Sequence, residues 1–131
     1  THGVDALSGI AADAVLVDAP CSGTGTLRRA PELRLRSFDY AALAALQLQI
    51  LTEAAQCVRP GGRLIYATCS LLQEENEAVV DAFLQAHPGF AAGAGPADFP
   101  PGLLSTQGRL RLWPHRHGTD GFFAACLRRQ A

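Results

Sequence analysis

Asp13-Ala14-Val15-Leu16-Val17-Asp18 runs directly into Ala19-Pro20-Cys21-Ser22-Gly23-Thr24-Gly25. The first six residues form a short apolar run between acids. That predicts a buried parallel strand rather than an alternating, half-exposed one. The next seven, rich in Pro, Ser, Gly and Thr, predict a loop. Downstream, from about Asp39 to Val58, Leu43, Leu46, Ile50, Leu51, Ala54 and Val58 recur at three- and four-residue steps. This spacing predicts one face of a helix of about five turns, capped by Ser37 or Asp39 and stopped by Pro60-Gly61-Gly62. Arg63-Leu64-Ile65-Tyr66-Ala67 reads as a second strand. Ser70, followed by Gln73, Glu74 and Glu75, resembles a capping box that opens a second helix. Val79, Val80, Phe83 and Leu84 give that helix its buried stripe, and Pro88-Gly89 ends it. The Ala-, Gly- and Pro-rich stretch from Phe90 to Gln107 reads as loop. Arg109 to Trp113 and Phe122 to Arg128 read as an antiparallel pair joined by a short link. The order implies an α/β fold, with parallel strands and an antiparallel edge hairpin.

Composition narrows what such a fold can do. The chain has 131 residues, 48% of them hydrophobic, enough to bury a real core within one domain or a piece of a larger one. Thr1 in place of a starting Met suggests a processed chain or an excised fragment. A formal charge of −1 excludes nucleic-acid binding by bulk electrostatics. It leaves room for a local patch: Arg28, Arg29, Arg34 and Arg36 cluster with only Glu32 to oppose them. Such a segment reads either as an RNA-phosphate contact or as solvated surface. No apolar run approaches the roughly 18 residues a membrane helix needs, and the N-terminus shows no signal peptide. The cysteines, at positions 21, 57, 69 and 126, form no C-x-x-C pair, which argues against a metal site. Reduced thiols and a cytoplasmic location are expected. Cys57 and Cys126 fit small core residues. His115 and His117, in a Pro-His-Arg-His-Gly turn, fit solvated loop histidines.

Cys21 and Cys69 differ from the other two in position. In open parallel sheets, ligands bind outside the carboxyl ends of the strands. Asp18, Pro20 and Cys21 follow the first predicted strand; Thr68, Cys69 and Ser70 follow the second. A single helical crossover joins these strands, so both thiols are expected on one rim of the sheet. Cys69 also precedes the predicted helix, whose positive end would favour its thiolate. Position alone leaves Cys69 open as a nucleophile or a packed core thiol.

The residues themselves carry more. Asp18-Ala19-Pro20-Cys21-Ser22-Gly23-Thr24-Gly25 and Tyr66-Ala67-Thr68-Cys69-Ser70-Leu71 are similar to motifs IV and VI of the RNA cytosine-5 methyltransferases. The resemblance continues through Gly25-Thr26-Leu27-Arg28-Arg29-Ala30-Pro31-Glu32, Leu46-Gln47-Leu48-Gln49-Ile50-Leu51 and Arg59-Pro60-Gly61-Gly62. It extends to Gln73-Glu74-Glu75-Asn76-Glu77 and Asp120-Gly121-Phe122-Phe123-Ala124. The bacterial Sun-type enzymes of small-subunit ribosomal RNA and their nucleolar relatives look most similar. The resemblance implies the C-terminal half of a Rossmann-like, S-adenosylmethionine-dependent catalytic domain, here residues 1–131.

It also implies roles. Cys69 would attack carbon 6 of a cytosine in RNA, and Cys21 would assist release. Asp18 would touch both base and cofactor, and the Pro20 carbonyl would orient the exocyclic amine. Asp5 would be the acid that contacts the adenine of the cofactor. Within the same chemistry, the DNA enzymes place the nucleophile at the motif IV cysteine, here Cys21; Thr68-Cys69-Ser70 after the next strand favours the RNA type. The glycine-rich cofactor loop and the ribose-binding acid of this superfamily are not in the sequence. The isolated chain is therefore expected to be inactive, with an open strand edge at Ala14–Val17 available for dimerisation. A non-catalytic RNA-binding or scaffold fragment is the competing class.

Overall fold

A mixed sheet of five strands organises the chain. The computed structural model describes residues 9–27, 39–93, 105, 107–117 and 119–131. β1 (Ala12–Asp18) and β2 (Val58–Thr68) are joined by α1 (Tyr40–Ala55), and α2 (Glu77–Ala86) leads on to β3 (Phe90–Ala92). β4 (Arg109–Leu112), the short α3 (Pro114–His117) and β5 (Phe122–Arg129) complete the order. β1 pairs with β2 in parallel, Asp18 opposite Ala67. β5 lies antiparallel on the other side of β2. β3 and β4 both pair with the far side of β5, β3 at its end and β4 at its start. The expected hairpin is present, but β5 runs inside the sheet, and β3 was missed in a stretch read as loop. Ala-Gly-Pro composition hid it, because three paired residues leave no periodicity to detect.

The core lies between the sheet and the two long helices. Phe123, Ala125 and Leu127 alternate inward along β5 and meet Leu64 and Tyr66 of β2. Leu51 and Ala55 of α1 and Val79, Val80 and Phe83 of α2 cover them. Phe83 is fully buried, with its ring stacked on His87 at 4.2 Å and edge-on to Phe90 at 5.2 Å. Burying such a side chain contributes about 1.5–3 kcal/mol.

Several local expectations change. Asp39 does cap α1, its carboxylate accepting from the Ala42 amide. The deepest line of α1, however, is Gln47, Leu51 and Ala55, so a polar residue occupies the inner face. β2 begins five residues earlier than the apolar run, at Val58. Pro60-Gly61-Gly62 is absorbed as a bulge, where pairing jumps from Ala12–Val58 to Ala14–Arg63. Gly61, at φ +81°, supplies the left-handed turn that this bulge requires. β1 is not the buried strand expected: only Val17 is buried, and Leu16 is 66% exposed. Among the described residues, no strand covers its outer edge. α2 starts at Glu77 rather than just after Ser70, which removes the helix-terminus argument for Cys69.

Candidate active site

The parallel register of β1 and β2 brings the two cysteine loops together. The Ala19 amide donates to the Ala67 carbonyl, carrying the pairing one step past Asp18. Beyond that point the loops approach until Cys21 Sγ lies 3.3 Å from Cys69 Sγ. Both thiols are free and half-buried. The rim predicted from spacing is therefore real, and the thiols touch.

The contact divides their acidity. Once Cys69 ionises, the Cys21 S–H donates to its sulfur and favours the thiolate there, and the backbone amide of Cys69 adds to this. Cys69 is held down to about 7 despite burial and the nearby charges of Asp18 and Glu75, which push the other way. The same hydrogen bond, with burial, raises Cys21. When the pair ionises near neutral pH, the thiolate rests on Cys69 and is shared with the Cys21 S–H. A neighbouring thiol thus does what the helix N-terminus was expected to do. Cys57 is buried, as expected of a core residue, whereas Cys126 is half-buried in β5 and raised by its burial.

Behind the thiols lies a polar cluster that the sequence reading missed. The fully buried Glu75 accepts from the Ser22 amide at 2.8 Å, the Ser22 hydroxyl at 2.6 Å, Gln47 Nε2 at 3.1 Å and the Ser70 hydroxyl. Gln47 Nε2 also donates to the Pro20 carbonyl at 2.8 Å. Asn76 spans the second loop, accepting from Thr68 Oγ1 at 2.6 Å and donating to the Ser70 carbonyl at 2.8 Å. Thr24 Oγ1 accepts from the Leu71 amide at 2.8 Å and ties the first loop to the second. Two signals in the sequence could have found this cluster. Gln47 shares a four-residue spacing with Leu51 and Ala55, and Glu75-Asn76 stands immediately ahead of the real helix start.

Gly25 and Gly121 close the site from the side of β5. The Gly25 amide donates to the Cys69 carbonyl at 2.8 Å, and the Gly121 amide donates to the Gly25 carbonyl at 2.7 Å. A Cβ on Gly25 would stand 2.6 Å from the Cys69 carbonyl oxygen, so only glycine fits at this crossing. Arg111 of β4 reaches across from the same side. It donates to the Leu71 carbonyl at 3.3 Å, pairs with Glu77, and lies 5.0 Å over the Trp113 ring and 5.3 Å over the Phe123 ring.

The remaining expected residues divide. Asp18 is exposed at the carboxyl end of β1, and Pro20 follows it toward Cys21. His115 is exposed, as expected of a solvated histidine. Asp5, Arg28, Arg29, Arg34 and Arg36 lie outside the described residues, as does the side chain of His117. Among the described residues, no helix is long and apolar enough to cross a membrane.

The sequence pattern of the family described as 16S rRNA methyltransferase RsmB/F matches residues 2–128. The chain belongs to this family. Among its RsmB/F relatives, ribosomal RNA small subunit methyltransferase B of Thermus thermophilus is 50% identical over 117 residues. That match covers 88% of this chain and 29% of the Thermus protein. The protein of the same name from Xanthomonas campestris is 46% identical over 117 residues, covering 88% of this chain and 26% of its own length. The crystal structure of NSun6 from Pyrococcus horikoshii with SFG superposes with a TM-score of 0.79 at 34% identity. It covers 98% of this chain and 33% of that one. The fold is thus the Rossmann-like methyltransferase sheet, of which this chain spans a quarter to a third of each relative's length.

Proposed function

We propose that the protein containing this chain transfers a methyl group from S-adenosylmethionine to carbon 5 of a cytosine in RNA, through a covalent cysteine adduct. Small-subunit ribosomal RNA is the substrate class, in keeping with the relatives' names. The observation that carries the reading is the 3.3 Å contact between two half-buried thiols at the ends of adjacent parallel strands, one of them ionising near neutrality.

Carbon 5 of cytosine is a weak nucleophile, and covalent catalysis divides the difficult step. The Cys69 thiolate forms a bond to carbon 6, and the electron pair of the 5,6 double bond makes carbon 5 nucleophilic. The cofactor, when bound, supplies the methyl group as a sulfonium. Once Cys69 is a thioether, the hydrogen bond that raised Cys21 is gone, so Cys21 can give up its proton to solvent. It then takes the carbon 5 proton, the double bond reforms, and the Cys69 thiolate leaves. A base in a duplex must leave its stack to reach both sulfurs.

Asp18 and Pro20 fit one wall of the base and cofactor site. The Asp18 carboxylate is exposed at the strand end, and the Pro20 carbonyl uses one lone pair on Gln47 and keeps another. We assign Asp18 to the ring nitrogen of the base and to the cofactor, the Pro20 carbonyl to the exocyclic amine, and Asp5 to the adenine. Arg28, Arg29, Arg34 and Arg36 are assigned to RNA phosphates. The glycine-rich loop and ribose acid of the superfamily are not in this sequence, so activity is proposed for the longer protein and not for these 131 residues alone. In the isolated chain, the edge of β1 that no described strand covers, with its exposed Leu16, is a place for a second copy to pair.

The test uses full-length enzyme with RNA carrying 5-fluorocytosine at the target. Carbon 5 then has no proton to lose, so wild type is expected to be trapped as a covalent complex. Cys69→Ala is expected to form no complex and to lose methyl transfer. Turnover by Cys69→Ala at the wild-type rate would remove Cys69 from the mechanism.

A further inference from the structure

Two steps of the chain, Cys21-Ser22 and Cys69-Ser70, converge on one carboxylate. One oxygen of Glu75 takes the Ser22 amide and Gln47; the other takes the hydroxyls of Ser22 and Ser70. Glu75 is fully buried, and among the described residues no cation pairs with it. A buried carboxylate without a cation loses hydration that only well-made hydrogen bonds offset. Apolar side chains of similar volume would hold two loops together at less cost. What they would lack is directional acceptors aimed at the residue after each cysteine.

We propose that Glu75 is a positioning residue that, by gripping the serine after each cysteine, sets the separation of the two thiols. The proposal rests on the reading of Cys69 as the attacking group and Cys21 as the releasing one. Both sulfurs must address one ring, Cys69 at carbon 6 and Cys21 at the proton on carbon 5, so their spacing governs two steps. A misplacement of about 1 Å in such a constellation can lower the rate on the order of 100-fold. The grip is itself braced. Tyr66 Oη donates to the Glu75 carbonyl at 2.7 Å, and Gln47 ties the same carboxylate to the Pro20 carbonyl ahead of Cys21.

The carboxylate geometry also says which substitution should be tolerated. In Glu75→Gln, the amide oxygen can accept from the Ser22 amide and Gln47. The amide NH2 can donate to the two serine hydroxyls, which rotate to accept. Glu75→Gln therefore keeps the grip and loses the charge, whereas Glu75→Ala loses both.

The pH midpoint for alkylation of Cys69 by iodoacetamide, in full-length enzyme without RNA, reads the thiol contact directly. The charged and titratable groups that face this sulfur are Cys21, Asp18 and Glu75. Wild type is expected near 7. Glu75→Ala is expected to move the midpoint up by about one unit or more as Cys21 drifts away, because the lost thiol contact outweighs the smaller effect of removing the Glu75 charge. Its kcat should fall on the order of 100-fold with the KM for RNA changed by no more than a few-fold. Glu75→Gln is expected to stay near 7 or fall, since a nearby negative charge is gone, and to keep most of the kcat. If Glu75→Ala does not fold, Ser70→Ala removes one arm of the grip and should move the midpoint and kcat the same way by less. A folded Glu75→Ala, or Ser70→Ala in its place, whose midpoint stays at the wild-type value overturns the proposal alone. A midpoint that moves while methylation does not overturns the roles given to the thiols, and the proposal with them.

Discussion

Replacing Cys21 by Ala removes the group that holds Cys69 at its low pKa, and the consequence can be worked through. A thiol with a pKa of about 7 is half ionised at pH 7. With an ordinary pKa of about 8.5, only about 3% is thiolate, roughly a 16-fold smaller fraction. Burial and the charges of Asp18 and Glu75 remain in the variant and can only push the value higher. The loss is partly offset, because a thiolate of higher pKa is intrinsically more reactive. A Brønsted coefficient of about 0.45 over 1.5 units gives about a fivefold gain. Alkylation of Cys69 in Cys21→Ala should therefore be about threefold slower at pH 7 and about fivefold faster above pH 10, where both proteins are fully ionised. The two rate profiles must cross. Peptide mass spectrometry of iodoacetamide-treated protein reads Cys69 separately from Cys57 and Cys126. Parallel profiles with a common midpoint near 7 would show that the thiol contact is not what lowers Cys69. With RNA, the same variant of the full-length enzyme should accumulate a covalent complex on ordinary substrate, because release is lost and attack is not. A variant with neither adduct nor activity would transfer the attacking role to Cys21.

Replacing Arg28 and Arg29 together by Ala should weaken RNA binding by the full-length enzyme and flatten its salt dependence. The log–log slope should fall by about one unit for each lost phosphate contact, and an unchanged slope would make both residues solvated surface. Phe83→Ala should destabilise the fold by about 3–5 kcal/mol, since the ring is fully buried between His87 and Phe90. Chemical denaturation would measure this, and a loss below about 1 kcal/mol would mean that the helix–sheet interface is not the stabilising core.

How much of this could be read from the sequence depends on the range of the interaction. Asp39 announced α1, and Ala14–Val17 and Arg63–Ala67 announced their strands, because capping and apolar runs act within a few residues. The meeting of Cys21 and Cys69 followed from one topological rule applied to two adjacent strands. Ser70 misled because a residue of N-cap type ahead of acids also suits a loop that bonds to itself; its hydroxyl serves Glu75 and the Leu72 amide instead. Leu16 misled because an apolar run does not say whether both faces of its strand will be covered. The grip of Glu75 was less legible for a different reason. Its partners come from three separate segments, and only the folded chain brings Ser22, Gln47 and Ser70 to one side chain.

The interior place of β5 has a consequence during synthesis. β2 leaves the ribosome with one long edge unpaired, and the strand that must occupy it is made about 50 residues later. At ordinary elongation rates that is roughly 3–10 s. During that interval Tyr66 and Leu64 have no Phe123 or Leu127 beside them, and the Cys69 loop lacks the Gly121 contact that closes it through Gly25. A nascent chain stalled before Phe122 therefore presents apolar surface to chaperones and a Cys69 loop not yet closed from the side of β5. The thiol pair is flanked on both sides only when the last strand has taken its place against β2.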